Sequence, residues 1–317
     1  MTSGGDVPGL NAAIRAVVRS ASYYNIPVLG IERGYEGLID GDFREMHAGT
    51  VSHIIDKGGT ILKSSRSERF TTAEGRNAAY QQLQKAGIDA LILIGGDGSM
   101  RGAQKIADES NIPVIGIPKT IDNDLTGTDR AIGFDTAINT AMQAIDKIKD
   151  TAQSHNRLFF VEVMGRHAGF IALEAGMATG SEAIIIPESK NDLEMLYMNL
   201  EQKKDWENSS HIVIVAEGDE SGGAYKLAEE VKRKWPDLNT GVTVLGHIQR
   251  GGSPTAADRN LATRLGIHAM QALKDGKKNV MVGEVSGKIA FTPLSEVQNR
   301  PLTIDHETFE MMKILTR

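Results

Sequence analysis

Two carboxylates stand two residues apart in the stretch Pro118-Lys119-Thr120-Ile121-Asp122-Asn123-Asp124. On an extended segment, residues i and i+2 share one side. Asp122 and Asp124, beside the Thr120 hydroxyl, could then take a proton from a substrate hydroxyl or sit near a metal ion. The same heptad also suits a solvated turn, because Asn and Asp are turn formers. The apolar run Ile112 to Ile117 in front of it reads as a buried strand, and open parallel sheets bind ligands at strand ends.

Three glycine loops offer a second kind of chemistry: Gly4-Gly5-Asp6, Gly95-Gly96-Asp97-Gly98 and Gly251-Gly252. Glycine lets the backbone approach a phosphate closely, and the free N–H groups of a helix start attract anions. Gly4-Gly5 lacks the preceding strand and later acid of a dinucleotide fingerprint. Asp97, between glycines at a strand end, could hold Mg²⁺ against phosphate oxygens or simply cap the next helix. Arg66, Arg157, Arg166 and Arg250 lie at strand ends or in loops, and guanidinium suits phosphate in two-pronged fashion. Most arginines are solvated surface groups, but Arg166 and Arg250 each adjoin glycine after a strand. Glu217 ends an apolar strand and could bind a substrate hydroxyl, and His247 lies near Arg250. Together these residues form the inventory of a phosphoryl-transfer site with a phosphorylated acceptor.

The elements that must position them alternate between strand and helix, the pattern of a parallel sheet. Strands are expected over Ile26–Ile31, Ala90–Ile94, Ile112–Ile117, Leu158–Met164, Ile184–Ile186, Ile212–Val215 and Val242–Leu245. Helices are expected from Leu10, over Thr50–Lys57, from a capping box at Thr71 and Glu74, through Ala103 and Ile106, and from Asp135 as cap through Ile148. Further helices cover Ala168–Ala178, Leu193–Lys204, Ala224–Lys234, a long one started by Ser253 and Pro254, and Asp305–Leu315. Apolar runs near Val280 and Ile289 suit edge strands. The fold class is therefore α/β, with two doubly wound, Rossmann-like parallel-sheet lobes and an active-site cleft between them.

The chain's 317 residues suffice for two ordinary domains. With 40% hydrophobic and 24% charged residues it has the composition of a soluble globular protein. A net charge of −6 argues against non-specific nucleic-acid binding, and 5% aromatics against a base-stacking platform. Cysteine is absent, which excludes disulfides and is compatible with a cytoplasmic location. No apolar run approaches the roughly 20 residues of a membrane helix.

The blocks Thr2-Ser3-Gly4-Gly5-Asp6, Gly95-Gly96-Asp97-Gly98-Ser99, Thr120-Ile121-Asp122-Asn123-Asp124, Met164-Gly165-Arg166 and Leu245 to Pro254 run in one order over nearly the whole chain. In these blocks the chain closely resembles the bacterial-type ATP-dependent 6-phosphofructokinases. The resemblance implies phosphoryl transfer from MgATP to the 1-hydroxyl of fructose 6-phosphate. By that resemblance Asp122 is the base, Asp97 serves Mg²⁺, and Thr120 and Arg166 stabilise the transferring phosphoryl group. Gly5, Arg66, Ser67, Gly96, Gly98 and Ser99 line the ATP site. Thr120, Ile121, Asp122, Met164, Gly165, Arg166, Glu217, His247, Ile248, Gln249 and Arg250 hold the sugar phosphate. Arg157 reaches in from a neighbouring subunit of a homotetramer, and Arg15 and Arg19 match an effector site. The implied division is residues 1–133 plus about 249–304 for ATP, and about 134–248 plus 305–317 for fructose 6-phosphate.

Four features depart from that pattern. An apolar strand precedes the Thr2-Ser3-Gly4-Gly5 loop in the family, whereas here a single Met does, so a central strand is expected to be lacking. Lys119 stands where many ATP users have glycine and pyrophosphate users often have lysine. Gly98 is the ATP-type residue, since a carboxylate there would crowd and repel the nucleotide's phosphates. Gly241 replaces a second arginine for the 6-phosphate, and Asn208-Ser209-Ser210 replaces a basic effector segment. The alternatives are the same reaction driven by pyrophosphate and a catalytically impaired nucleotide-binding subunit.

Overall fold

The computed structural model of the chain describes residues 1–189, 192–202, 211–218, 222–303 and 306–315. Its first half runs α1 (Leu10–Tyr23), β1 (Val28–Ile31), α2 (Gly34–Asp40), β2 (Phe43–Met46), α3 (Ala73–Lys85), β3 (Leu91–Gly95), α4 (Asp97–Ser110), β4 (Val114–Pro118) and α5 (Phe134–His155). Then follow β5 (Leu158–Val163), α6 (Phe170–Thr179), β6 (Ala183–Ile185), α7 (Asp192–Gln202), β7 (Ile212–Ala216), α8 (Gly223–Lys234) and β8 (Thr240–Val244). The chain closes with α9 (Ala256–Lys274), β9 (Val280–Val285), β10 (Lys288–Pro293) and α10 (His306–Leu315). These elements form two compact units, residues 1–136 with 250–300 and residues 137–249 with 301–317.

In the first unit the sheet order is β10-β9-β4-β3. Strand β4 is parallel to both β3 and β9, and β10 is an antiparallel edge. β4 is buried along its whole length, which is why its sequence is an unbroken apolar run. Leu83, Leu91, Leu93, Met100 and Ile106 share its core. The backbone of Met1–Ser3 lies beside β3: Ile94 N–H donates to Met1 O at 2.9 Å, and Ser3 N–H to Ile94 O at 3.0 Å. Helix α9 packs on α1 through small residues. A Cβ at Gly266 would stand 2.6 Å from the Ala16 methyl, so only glycine lets the two backbones come this close.

In the second unit the order is β6-β7-β5-β8, all parallel. β7 is again buried throughout, and Leu158, Phe160, Val213, Val215, Leu227 and Val231 pack around it. The α/β class therefore holds, with two departures from parallel winding in the first unit. β10 runs antiparallel, and β1 pairs with β2 in a separate antiparallel two-stranded sheet. β9 pairs on both sides, so of the two strands expected at edges only β10 is one.

Several local expectations are overturned. Thr50–Lys57 forms turns instead of a helix. Thr50 Oγ1 accepts from His47 N–H and donates to His47 O, while the buried Asn11 side chain holds Lys57 O, Gly58 O and Ile61 N–H. Such side-chain bonds offer the backbone an alternative to a helix. Helix α3 is capped by Thr72, which accepts from Gly75 N–H, and not by Thr71. Helix α9 is capped by Thr255 instead of starting at Ser253 and Pro254. Asp135 lies inside the first turn of α5 and accepts from the Thr255 hydroxyl at 2.6 Å. Helix α2 and strand β2 were not anticipated, because both are short and their apolar residues follow no long period. Asn208-Ser209-Ser210, Asp305 and the Lys204 end of α7 lie outside the described residues. Among the described residues no helix is long and apolar enough to cross a membrane.

Candidate active site

The Thr120–Asp124 stretch leaves β4 and folds into a tight loop with Asn123 at φ 52°, so it is not extended. The i, i+2 argument for the two carboxylates therefore fails. Thr120 holds them instead: its Oγ1 accepts from Asp122 N–H at 3.0 Å and donates to Asp124 Oδ1 at 3.3 Å. The Asn123 side chain fixes the left-handed residue, accepting from Ala131 N–H at 2.8 Å and donating to Asp129 O at 3.0 Å. Arg300 closes the loop from far along the chain, its backbone N–H on Asp124 O at 2.7 Å and its guanidinium on Asp129 O at 3.0 Å. Thr120, Ile121, Asp122 and Asn123 are all buried, which rules out a solvated turn. Ile121 is wholly enclosed, backbone included, so it presents no exposed atom to a ligand.

The glycine loops of the first unit gather around Lys119. Its backbone N–H donates to Gly95 O at 3.0 Å, and its ammonium donates to Gly5 O. Nζ and Ser99 Oγ each stand 3.4 Å from where a Gly4 Cβ would be. Gly4 has φ +82°, a conformation L side chains rarely adopt. Lys119 is only 4% exposed. Burial, with the nearby Arg250 charge adding to it, lowers its pKa to about 8 against the pull of Asp122, Asp6 and Asp124. Arg250 lies on the same loop, with a guanidinium nitrogen 3.4 Å from Asp6 O. That nitrogen would be 2.9 Å from a Cβ on Gly5.

Helix α4 starts at Asp97 with Gly96 as its cap residue, which has no side chain to occupy the first N–H groups. Asp97 pairs with Arg101 one turn on, its own side chain 9% exposed. The space around Gly98 is open, with Arg101 3.8 Å from a Cβ there. Among the described residues no cluster of three or more metal-ligating side chains occurs. A single carboxylate at a helix start nevertheless fits Mg²⁺ that arrives on phosphates, since Mg²⁺ is usually held by one or two carboxylates, phosphate oxygens and water. A pocket of ≈ 410 Å³ is lined by Gly4, Gly5, Asp6, Thr60, Lys63, Ser64, Ser65 and Arg66. Ser67 caps the short turn after it, accepting from Phe70 N–H at 3.1 Å.

The second unit assembles the other candidates at the carboxyl end of β5. Glu217 Oε1 accepts from Arg166 N–H at 2.8 Å, and Glu217 N–H donates to Val163 O at 2.9 Å. Gly218 must be glycine, because a Cβ there would lie 1.6 Å from Arg166 O. Arg166 itself is left-handed at φ 55° and, like the neighbouring His247 and Ile248 of the turn after β8, exposed. Met164 and Gln249 are buried, Gln249 donating to Gly246 O at 3.1 Å. Arg157 lies at the opposite end of β5 from Gly165 and Arg166, about 20 Å away by strand rise. Gly241 is covered by the Phe159 ring, 2.6 Å from where a Cβ would stand, so an aromatic fills the place of an arginine side chain. Arg15 and Arg19 lie one turn apart on α1 in the first unit.

Reading the sequence missed Asn123, Arg300 and Asp258. In sequence Asn123 reads only as a turn former, and Arg300 has no local motif to mark it. Asp258 accepts from Gly133 N–H at 2.9 Å and from Thr136 N–H and Oγ1 at 2.8 and 2.5 Å, so α9 caps the start of α5.

The phosphofructokinase family model matches residues 1–273. The chain is 53% identical over 314 residues to ATP-dependent 6-phosphofructokinase 1 of Thermus thermophilus, covering 99% of this chain and 97% of the relative. It is 50% identical to ATP-dependent 6-phosphofructokinase 2 of Bacteroides thetaiotaomicron over 316 residues, 100% of this chain and 97% of the relative. Among solved structures, phosphofructokinase from Saccharomyces cerevisiae aligns with a TM-score of 0.87 at 35% identity over 93% of this chain. This chain spans less than half of that yeast chain, 44% of its length. A pyrophosphate-dependent phosphofructokinase from Marinobacter aquaeolei aligns with a TM-score of 0.82 at 25% identity, over 99% of this chain and 90% of that one. With a family match over most of its length and full-length relatives at about half identity, the chain belongs to the phosphofructokinase family.

Proposed function

We propose that the chain is an ATP-dependent 6-phosphofructokinase, transferring the γ-phosphoryl group of MgATP to the 1-hydroxyl of fructose 6-phosphate. The single observation that carries this is the buried Thr120–Asn123 stretch beside the Gly4-Gly5 and Gly96–Ser99 loops, in a chain about half identical to enzymes of that name. Asp122 takes the hydroxyl proton as the oxygen attacks phosphorus. The bond from the γ-phosphorus to the bridging oxygen breaks, and ADP leaves with its charge. The open first turn of α4 and the Gly5, Arg66 and Ser67 segment receive the nucleotide, Asp97 meeting its Mg²⁺. Thr120, Lys119 and Arg250 bring donors and positive charge to the phosphoryl group. Met164, Gly165, Arg166, Glu217 and the His247–Gln249 turn receive the sugar phosphate. Arg157, turned to the other end of its strand, serves a neighbouring subunit of a homotetramer, and the enzyme works in the cytoplasm.

One observation favours pyrophosphate as the donor: the buried Lys119 ammonium at the glycine loop, in a fold shared with a pyrophosphate-dependent enzyme. Gly98 weighs more, because its open surroundings leave room for a nucleotide that an aspartate there would crowd and repel. Coupled assays of fructose 1,6-bisphosphate formation with ATP and with pyrophosphate separate the two. Turnover with ATP and none with pyrophosphate is expected. Turnover with pyrophosphate alone overturns the reading, and turnover with neither points to an impaired subunit.

A further inference from the structure

Arg166 sits in a left-handed conformation at φ 55°. A residue other than glycine is uncommon there and stays only where its surroundings hold it. The loop that carries it joins β5 to α6, and carboxylates that follow two other strands of the sheet hold it at two points. The first is Glu217, just past β7, whose Oε1 accepts from Arg166 N–H at 2.8 Å. The second is Glu188, three residues beyond the end of β6. Both of its carboxylate oxygens accept from Gly169 N–H, Oε1 at 2.9 Å and Oε2 at 3.2 Å.

Gly169 is the cap residue of α6 and has no side chain to fill that role itself. The fit around it is close. A Cβ there would lie 2.6 Å from Ile186 Cβ and 2.7 Å from Glu188 Oε2. Between the two anchors the loop closes on itself, Ala168 N–H donating to Gly165 O at 3.0 Å. Attraction for the ligand does not explain a second carboxylate on this loop, because a negative charge opposes an anionic sugar phosphate. What Glu188 supplies is an acceptor of the right reach.

We propose that Glu188 is a positioning residue for the sugar phosphate. By holding Gly169 N–H it fixes the far end of the Gly165–Gly169 loop and keeps Arg166 in its left-handed conformation. The inference deepens the fructose 6-phosphate reading and rests on it.

Steady-state kinetics and melting temperatures of wild type, Glu188→Asp and Glu188→Gln test it. Aspartate keeps the charge but is one methylene too short to reach Gly169. Glutamine keeps an acceptor of the same length and removes the charge. A hydrogen bond to a charged acceptor corresponds to about tenfold or more in affinity. Glu188→Asp should therefore raise KM for fructose 6-phosphate about tenfold, with KM for MgATP unchanged. Glu188→Gln should rescue most of that loss. In an Arg166→Ala background, Glu188→Asp should add little, because the two changes act through one residue. Gly169→Ala, whose methyl displaces the carboxylate, gives the same readings if Glu188→Asp fails to fold. A lower melting temperature without a selective rise in KM for fructose 6-phosphate overturns the inference. So does a Glu188→Gln enzyme as impaired as Glu188→Asp, or a full additional loss in the Arg166→Ala background. Wild type that phosphorylates no fructose 6-phosphate with either donor would instead remove the reading beneath it.

Discussion

At Lys119, burial and function pull against each other. The ammonium is enclosed and tied to Gly5 O, and its pKa falls from 10.5 to about 8. A depressed base is charged in the unfolded chain but neutral in the fold between about pH 8 and 10.5. The unfolded state then binds the extra proton, so stability rises with pH across that window, by about 3 kcal/mol in all. Charge at the phosphoryl site is lost as pH rises through about 8. Wild type should therefore gain stability between pH 7.5 and 9.5 relative to Lys119→Met in urea melts, while its KM for ATP rises. Parallel pH profiles for the two proteins would show that Lys119 does not titrate there. At Asp122, the substitution Asp122→Asn keeps the volume of a buried residue but removes the base. Its kcat should fall about 10²–10⁴-fold with ATP binding retained by calorimetry. Full turnover would pass the role to Asp124.

The joint between α5 and α9 is where two elements depend on one carboxylate. Asp258 receives three hydrogen bonds from Gly133 and Thr136, while Thr255 of the same helix start donates to Asp135. Thr136 Oγ1 in turn accepts from Thr255 N–H at 3.1 Å. Burial raises the Asp258 pKa, and the bonds from Thr136 and Gly133 oppose the rise. In Asp258→Ala two buried N–H groups lose their acceptor, at about 1–3 kcal/mol each. Its denaturant midpoint should drop by the equivalent of about 3 kcal/mol. Asp258→Asn, which keeps an acceptor, should lose less. Equal losses in the two variants would mean that packing, not the cap, holds the joint.

For the whole molecule, the proposed assembly predicts complementation. Asp122→Asn and Arg157→Ala subunits should each be nearly inactive. After mixing and subunit exchange, a site with Asp122 from one chain and Arg157 from its neighbour is whole, so activity should return. Exchange confirmed by sedimentation without any recovery would place Arg157 outside the shared site. The sequence by itself determined the α/β alternation, because strands such as β4 and β7 are buried on both faces and must be apolar throughout. It also determined the glycine and aspartate loops, whose residue types serve local backbone geometry and show within a few positions. It did not determine the short elements α2 and β2, or the turns at Thr50–Lys57, where bonds from Asn11 outweigh local propensity. Only the tertiary structure decided that Thr120 and Arg300 organise the Asp122 loop, that Lys119 meets Gly5, and that Phe159 covers Gly241. Apart from Thr120 beside its own loop, these partners lie tens to more than a hundred residues apart, and spacing along a chain carries no information about contacts made by folding.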